Sequence, residues 1–195
     1  MISGQIVTAV FCLSGAVFIV FAQLARGRAV ATRGQSLRIS RGVVQLVPYF
    51  FWVPYAVVVL RLGPQVAVVD GLVVLGVALA VLGVALAIWA ITTLGRDYDL
   101  VLEIHAGHQL VRRGPFAWVR HPVYTGLIVH FIGACLATGS LVLVAGTLFV
   151  TIPAFVARAR AEELLLREQF GPQYDRYMEE VPMLVPGPRA RAGKK

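Results

Sequence analysis

Long runs without a charged residue most constrain what this chain can fold into. In the 195-residue sequence, residues 2–25, 42–60, 71–95 and 122–157 contain no Asp, Glu, Lys or Arg. A helix that crosses a bilayer needs about 20 apolar residues, and it satisfies its backbone polar groups internally. The first three runs predict one transmembrane helix each. The fourth is long enough for two helices, with a turn signal at Thr138-Gly-Ser140. The sequence therefore predicts an all-α integral membrane protein with five transmembrane helices, the last two forming a tight hairpin.

Charge placement predicts the orientation of these helices. Charged residues make up only 14% of the chain, against about 25% in soluble domains. All of the 18 Lys and Arg residues except Arg61 follow the first, third or fifth predicted helix. Basic segments stay on the cytoplasmic side, so we expect the N-terminus outside and the long loops and C-terminus inside. The net charge of +8 is then a property of the membrane flanks, and no nucleic-acid partner is expected.

The chain divides into a scaffold, a region that carries the polar motifs, and a tail. Residues 1–95 are expected to form a three-helix transmembrane scaffold, residues 96–185 the functional region, and residues 186–195 a disordered tail. The first run lacks a positive leader and exceeds the ~7–15 apolar residues of a signal peptide, so we expect it to be a retained span. On the third helix, Gly76, Ala80, Gly83 and Ala87 recur at helical spacing, which predicts close packing against a neighbouring helix.

Polar side chains inside the predicted spans have more than one interpretation. Cys12 and Cys135 are interpreted as small hydrophobic residues, not as a disulfide or a nucleophile. An interhelical hydrogen bond is favoured over a substrate contact for His130. Whether Gln5, Gln23, Gln45 and His130 line a substrate cavity stays open.

A polar segment between the apolar runs is expected to carry the chemistry. Residues 108–126 combine two His, three Arg, two Pro and two Gly with aromatic residues. Irregular backbone beside a bilayer is tolerated where it is buried in protein or lines a cavity. Downstream, Arg158 and Glu162 are four residues apart and therefore share one face of a helix that leaves the membrane. The alternative for that helix is a solvated amphipathic surface with exchangeable ion pairs.

These motifs together resemble one enzyme family. The elements are Leu94-Gly-Arg-Asp-Tyr98, His108-x-Leu-Val, Gly114-Pro-Phe116, Arg120-His-Pro-x-Tyr124-x-Gly126, Arg158-x-x-x-Glu162-Glu163 and Phe170-Gly-x-x-Tyr174. In this combination and order the sequence resembles the isoprenylcysteine carboxyl methyltransferase family, which is related to the phospholipid N-methyltransferases. The resemblance covers roughly residues 90–185. It implies an integral membrane methyltransferase that uses S-adenosylmethionine, with a cofactor-binding loop, a helical hairpin and a cytoplasmic C-terminal helix.

The resemblance also implies roles for individual residues. Arg158 would bind the acceptor if that acceptor is a carboxylate, and Glu162 would contact the cofactor; both are the expected catalytic residues. The family usually has Tyr at the aromatic position of the Gly-Pro turn, where this chain has Phe116, so ring stacking is kept and a hydroxyl contact is lost. The expected cofactor-binding residues are His108, Gln109, Leu110, Val111, Phe116, Arg120, His121, Pro122, Val123, Tyr124, Glu162 and Glu163.

The residue types fit such a reaction on chemical grounds. S-adenosylmethionine has cationic, hydroxyl, carboxylate and aromatic groups, and the expected residues supply carboxylates, donors and aromatic faces. Methyl transfer is a direct displacement, so the enzyme mainly aligns nucleophile, methyl group and sulfur. A carboxylate nucleophile is already ionised at pH 7, and the planar fork of Arg can bind both of its oxygens. An amine nucleophile would have to lose a proton, and Glu or His could then matter.

The sequence also leaves other functions open. The expected partner is a lipophilic membrane substrate within the lipid bilayer, but its identity and the oligomeric state are not readable from the sequence. A phospholipid N-methyltransferase, a sterol-reductase-like enzyme that uses NADPH, and a non-enzymatic membrane subunit are the alternatives. His105, His108 and His121 could be metal ligands, but they do not complete a ligand set of defined spacing, so no metal is expected.

Overall fold

The chain is mostly helical, and three of its helices are long and apolar enough to cross a membrane. A computed structural model describes residues 4–32, 36–39, 52–99, 103–105 and 109–187. The candidate spans are Gly4–Ala31, Asp70–Asp97 and Leu141–Phe170, and the apolar helix Pro122–Thr138 is shorter. The helices are α1 (Gly4–Thr32), α2 (Val53–Val59), α3 (Asp70–Leu94), α4 (Pro122–Thr138), α5 (Leu141–Gly146), α6 (Ile152–Phe170) and α7 (Pro172–Glu180).

The predicted second span is described only in part. Its last residues form α2, whereas residues 42–51, including Gln45, lie outside the described residues. The arrangement of five spans therefore stays a prediction. Of the predicted tail, residues 188–195 also lie outside the described residues.

The fourth apolar run is divided where the turn signal stands. Helix α4 ends at Thr138, and Gly139 follows in the left-handed region with φ of +62°, a conformation that suits Gly after a helix. The Ser140 hydroxyl then accepts a hydrogen bond from the Leu143 amide at 3.3 Å and caps α5. Helix α5 continues through a π-helical turn, Thr147–Thr151, into α6. One helical path of 30 residues thus carries the charged sequence beyond the apolar part of the span.

Helices α3 and α4 pack through glycines on both sides. A Cβ atom added at Gly83 would meet the carbonyl oxygen of Gly126, and one added at Gly126 would meet that of Gly83. Gly76 and Gly133 are related in the same way, seven residues along each helix. Small residues let two helices approach this closely. The predicted packing role of the small residues on α3 is confirmed, and the matching glycines on α4 are an addition to it.

Two short strands add to the helical fold. Strand β1 (Ser36–Ile39) pairs antiparallel with β2 (Glu103–His105). The sequence did not predict them, because segments of three and four residues are too short to display an alternating pattern.

Polar contacts lie at both ends of the helical bundle. At one end, the Arg26 Nε at the end of α1 lies 3.0 Å from the Asp99 Oδ1 after α3. At the other end, the Val66 amide donates to the Gly139 carbonyl at 3.0 Å, which joins the α2–α3 connection to the α4–α5 turn. The start of α4 and the charged part of α6 belong to the first end.

Candidate active site

The start of α4 and the middle of α6 bring five polar side chains together. His121 directly precedes α4, which begins with Pro122, a residue that suits the first helical turn. Tyr124 lies one helical turn further along the chain. Across from them stand polar residues of α6, on which Arg158 and Glu162 share a face as predicted. The cluster consists of His121, Tyr124, Arg158, Glu162 and Glu163.

A line of hydrogen bonds runs from a buried cation to an accessible carboxylate. The Arg158 Nε–H donates to the Tyr124 hydroxyl oxygen at 3.0 Å. The Tyr124 hydroxyl donates to Glu162 Oε2, also at 3.0 Å. Arg158 is only 3% exposed, whereas the Glu162 side chain is 36% exposed. The Arg158 end of this line is therefore enclosed by protein, whereas the Glu162 end is accessible.

Three stacked rings fix the orientation of Tyr124. The His121 and Tyr124 rings are 5.6 Å apart with 15° between their planes. The Tyr124 and Phe155 rings are also 5.6 Å apart, with 12° between their planes. The hydroxyl of Tyr124 is thus held both by its two hydrogen bonds and by the rings on either side.

His121 lies between the two carboxylates of α6. Its Nε2 is 3.2 Å from Glu163 Oε1, and its Nδ1 is 3.6 Å from Glu162 Oε2. Burial of the imidazole lowers its pKa, but the hydrogen bonds and charges of the two carboxylates outweigh burial and hold the pKa of His121 above its ordinary value. The structure therefore favours the protonated imidazolium here, which can donate from both nitrogens.

Arg120 and Glu163 connect the cluster to the C-terminal end of α7 and to the residue that follows it. The Arg120 Nε is 2.7 Å from Glu163 Oε1, and both side chains are buried. The Arg120 Nη1 also donates to the carbonyls of Met178 and Val181, at 3.0 and 2.5 Å. A buried ion pair with additional hydrogen bonds of this kind is a structural connection. The prediction that Arg120 and Glu163 also touch a cofactor stays a prediction.

The segment 182–184 completes this side of the site with its backbone. The Arg120 amide donates to the Pro182 carbonyl at 2.9 Å, and the His121 amide donates to that of Met183 at 3.0 Å. The Thr125 hydroxyl donates to the Leu184 carbonyl at 2.7 Å. Backbone carbonyls leave no signature in a sequence, so sequence reasoning missed this contribution.

The part of the chain that contains this cluster is similar to known proteins. Residues 74–168 match the sequence model of the isoprenylcysteine carboxyl methyltransferase (ICMT) family. This segment is therefore similar to the ICMT family.

Named relatives and a solved structure agree with the match. A probable protein-S-isoprenylcysteine O-methyltransferase of Oryza sativa subsp. indica is 35% identical over 95 residues, which cover 47% of this chain and 49% of the relative. The protein-S-isoprenylcysteine O-methyltransferase of Schizosaccharomyces pombe is 34% identical over 79 residues, covering 40% and 34%. The structure of a eukaryotic intramembrane Ras methyltransferase ICMT superposes with a TM-score of 0.57 at 26% identity, covering 72% of this chain and 51% of that one. The chain thus spans about half the length of these relatives, or less.

The remaining residues expected from the ICMT resemblance are dispersed around the cluster. Phe116 is buried at 7% exposure, and its carbonyl accepts the Tyr177 hydroxyl at 2.6 Å. Leu110 packs against the Tyr174, Tyr177 and Val181 cluster. Gln109 is exposed, Val111 and Val123 are half-buried, and Pro122 is buried. His108 lies outside the described residues.

His130 lies deep in the bundle and away from this site. Its Nε2 is 2.7 Å from the Tyr55 hydroxyl, and its Nδ1 is 2.9 Å from the Ala80 carbonyl. The predicted interhelical hydrogen bond is therefore confirmed. Within the described part of the chain, no three His, Cys, Asp or Glu side chains form a group that could hold a metal ion.

Proposed function

We propose that this chain is an S-adenosylmethionine-dependent methyltransferase that methylates the carboxylate of a lipophilic, prenylcysteine-type acceptor between the start of α4 and the middle of α6. The observation that carries the proposal is the hydrogen-bonded line from Arg158 through Tyr124 to Glu162. A buried cation beside the apolar bundle suits an anionic group on a membrane-borne molecule. An accessible carboxylate suits the cationic and hydroxyl groups of a soluble cofactor.

The residues present fit S-adenosylmethionine by their chemistry. Glu162 keeps accessible surface while Tyr124 and His121 hold its carboxylate, so it can accept hydrogen bonds from an amino group or a ribose. The residues that would hold the cofactor with it are the predicted set at 108–111, Phe116 and 121–124. Arg120 and Glu163 would act mainly by holding the start of α4 against α6. When bound, the cofactor supplies an electrophilic methyl group.

The side chains of this site would orient the reactants and perform no proton transfer. Arg158 would hold the acceptor carboxylate, which is ionised at neutral pH and needs no general base. Its position is fixed because its Nε–H is engaged by Tyr124, which is itself held between the rings of His121 and Phe155. Holding a nucleophile and an electrophile in line is the main source of rate enhancement in such a displacement.

The proposed site faces the cytoplasm. This orientation is supported by the excess of basic residues near the ends of α1, α3 and α6. Single cysteines at the exposed positions Arg113 and Leu62, in a chain with Cys12 and Cys135 replaced by Ala, provide a matched pair from the two ends. Membrane-impermeant reagent should label position 62 in intact cells and position 113 only in inverted vesicles. The reverse pattern would contradict the orientation.

Binding and product analysis test the proposed reaction. Calorimetry on detergent-solubilised protein should detect S-adenosylmethionine binding and no NADPH binding. With methyl-labelled cofactor and N-acetyl-S-farnesyl-cysteine, the product should carry the label as a base-labile methyl ester. Binding of NADPH alone would assign a reductase. Label on phosphatidylethanolamine and not on the thioether acid would assign an N-methyltransferase.

A further inference from the structure

The Tyr98 side chain carries a buried hydroxyl group that has no role in the proposed reaction. Tyr98 follows the 3-10 turn Gly95–Asp97 after α3, and it is only 4% exposed. Its ring belongs to the apolar cluster that also contains Phe155. Its hydroxyl oxygen is buried, and no described residue makes a hydrogen bond to it. A buried hydroxyl without a partner costs stability, and such costs are concentrated at functional positions.

Two charged residues of the proposed site and one neighbouring ion pair lie within electrostatic range of this hydroxyl. Asp99, Arg158, Arg26 and Glu162 all act on it electrostatically. Burial is the main cause that raises the pKa of Tyr98 above its ordinary value. The hydroxyl therefore stays protonated at neutral pH and can donate a hydrogen bond.

An ion pair holds the segment that presents Tyr98. The adjacent Asp99 is 6% exposed and accepts from the Arg26 Nε at 3.0 Å. The end of α1 is thereby joined to the chain after α3. The Tyr98 backbone amide also donates to the Gly95 carbonyl at 3.3 Å. A side chain on such a supported segment keeps its place when a ligand arrives, which limits the entropy lost on binding.

We infer that the Tyr98 hydroxyl donates a hydrogen bond to the acceptor carboxylate held by Arg158, which makes Tyr98 an acceptor-binding residue. This inference rests on the proposed methyltransferase function. The acceptor is favoured over the cofactor because Tyr98 and Phe155 share the apolar cluster of the bundle, where a lipophilic molecule would lie. Glu162, the accessible end of the line, serves the cofactor.

The substitution Tyr98→Phe separates this role from a structural one. It removes the hydroxyl and keeps the ring, so the protein should unfold at a slightly higher temperature, by about 2–4 °C, because an unsatisfied buried group has gone. The kcat/KM for N-acetyl-S-farnesyl-cysteine should fall about tenfold, mostly through KM, as expected for the loss of one hydrogen bond to a charged group. The affinity for S-adenosylmethionine should not change.

Tyr55→Phe is the matched control, because that hydroxyl is paired with His130 at 2.7 Å inside the bundle. It should lower the unfolding temperature and leave the kcat/KM for the acceptor unchanged. Weaker S-adenosylmethionine binding by Tyr98→Phe would overturn the inference by assigning the hydroxyl to the cofactor. An unchanged acceptor KM would overturn it as well. If the unaltered protein methylates no carboxylate, the proposed function itself is wrong. If the unaltered protein is active and Tyr98→Phe has the same activity, only the inference about Tyr98 is wrong.

Discussion

Two pairs of Tyr and His make opposite use of the same chemistry. In the bundle, the Tyr55 hydroxyl and the Ala80 carbonyl satisfy both nitrogens of His130, and Phe11 stacks on both rings. Between the start of α4 and the middle of α6, His121 and Tyr124 share their hydrogen bonds with carboxylates, one of which is accessible. The first pair is closed, and its hydrogen bonds join α2, α3 and α4. The second pair is open, because the Glu162 carboxylate to which it is hydrogen-bonded is accessible. A ligand can therefore bind at this open end.

Removal of the open end should have the largest effect on binding. Glu162→Ala should weaken S-adenosylmethionine binding at least tenfold, because loss of a charge partner for a buried cationic ligand costs about 2–5 kcal/mol. Glu168→Ala, an exposed carboxylate on the same helix, is the control and should bind normally. Calorimetry in detergent measures both variants. Equal affinities would place the cofactor elsewhere.

A change at the buried end should affect the acceptor instead. Arg158→Lys keeps the charge but loses both the planar fork and the Nε–H that Tyr124 accepts. Hydrogen bonds to charged groups are worth about 1.5–3 kcal/mol, so kcat/KM for a carboxylate acceptor should fall about 10–100-fold. S-adenosylmethionine affinity should remain nearly intact, and Arg160→Lys, exposed on the same helix, should behave as the parent. Loss of cofactor binding in Arg158→Lys would reverse the two assigned roles.

The closed pair should respond in stability and not in binding. Tyr55→Phe leaves the His130 Nε2 without its donor, and an unsatisfied buried group costs about 1–3 kcal/mol. The unfolding midpoint in detergent should therefore fall while S-adenosylmethionine affinity is kept. A variant as stable as the parent would mean that this pair does not hold the bundle.

The smallest expected effect is a dependence of stability on pH. The folded-state pKa of His121 is raised, so its protonation stabilises the fold below the ordinary value of about 6.5. That contribution is lost as pH rises through the raised pKa. The unfolding midpoint should decline over this range, and His121→Gln should reduce the decline. If the unfolding midpoint of the variant changes with pH as steeply as that of the parent, the titration of His121 does not contribute to the pH dependence of stability.

The sequence predicted those parts of the molecule that depend on local patterns. Uncharged runs located the long helices, small residues located the contact surface of α3, and the i to i+4 spacing placed Arg158 and Glu162 together. The pairing of β1 with β2 was beyond it, because that pairing is non-local. So were the carbonyls of 182–184, since every residue carries a carbonyl and only the tertiary path of the chain brings these three to the start of α4.

That path also sets the order in which the molecule can be completed during synthesis. Helices α3 and α4 can pack as soon as both have been made, because the glycines at their contact lie on these two helices alone. The amides of Arg120 and His121 must wait for Pro182 and Met183, some sixty residues later in the chain. Chains are synthesised from the N-terminal end at a finite rate. A growing chain can therefore form the helical bundle before the segment 182–184 is available to cover the start of α4 beside His121. A protein whose synthesis stops before residue 182 would therefore lack the backbone carbonyls that accept from the amides of Arg120 and His121.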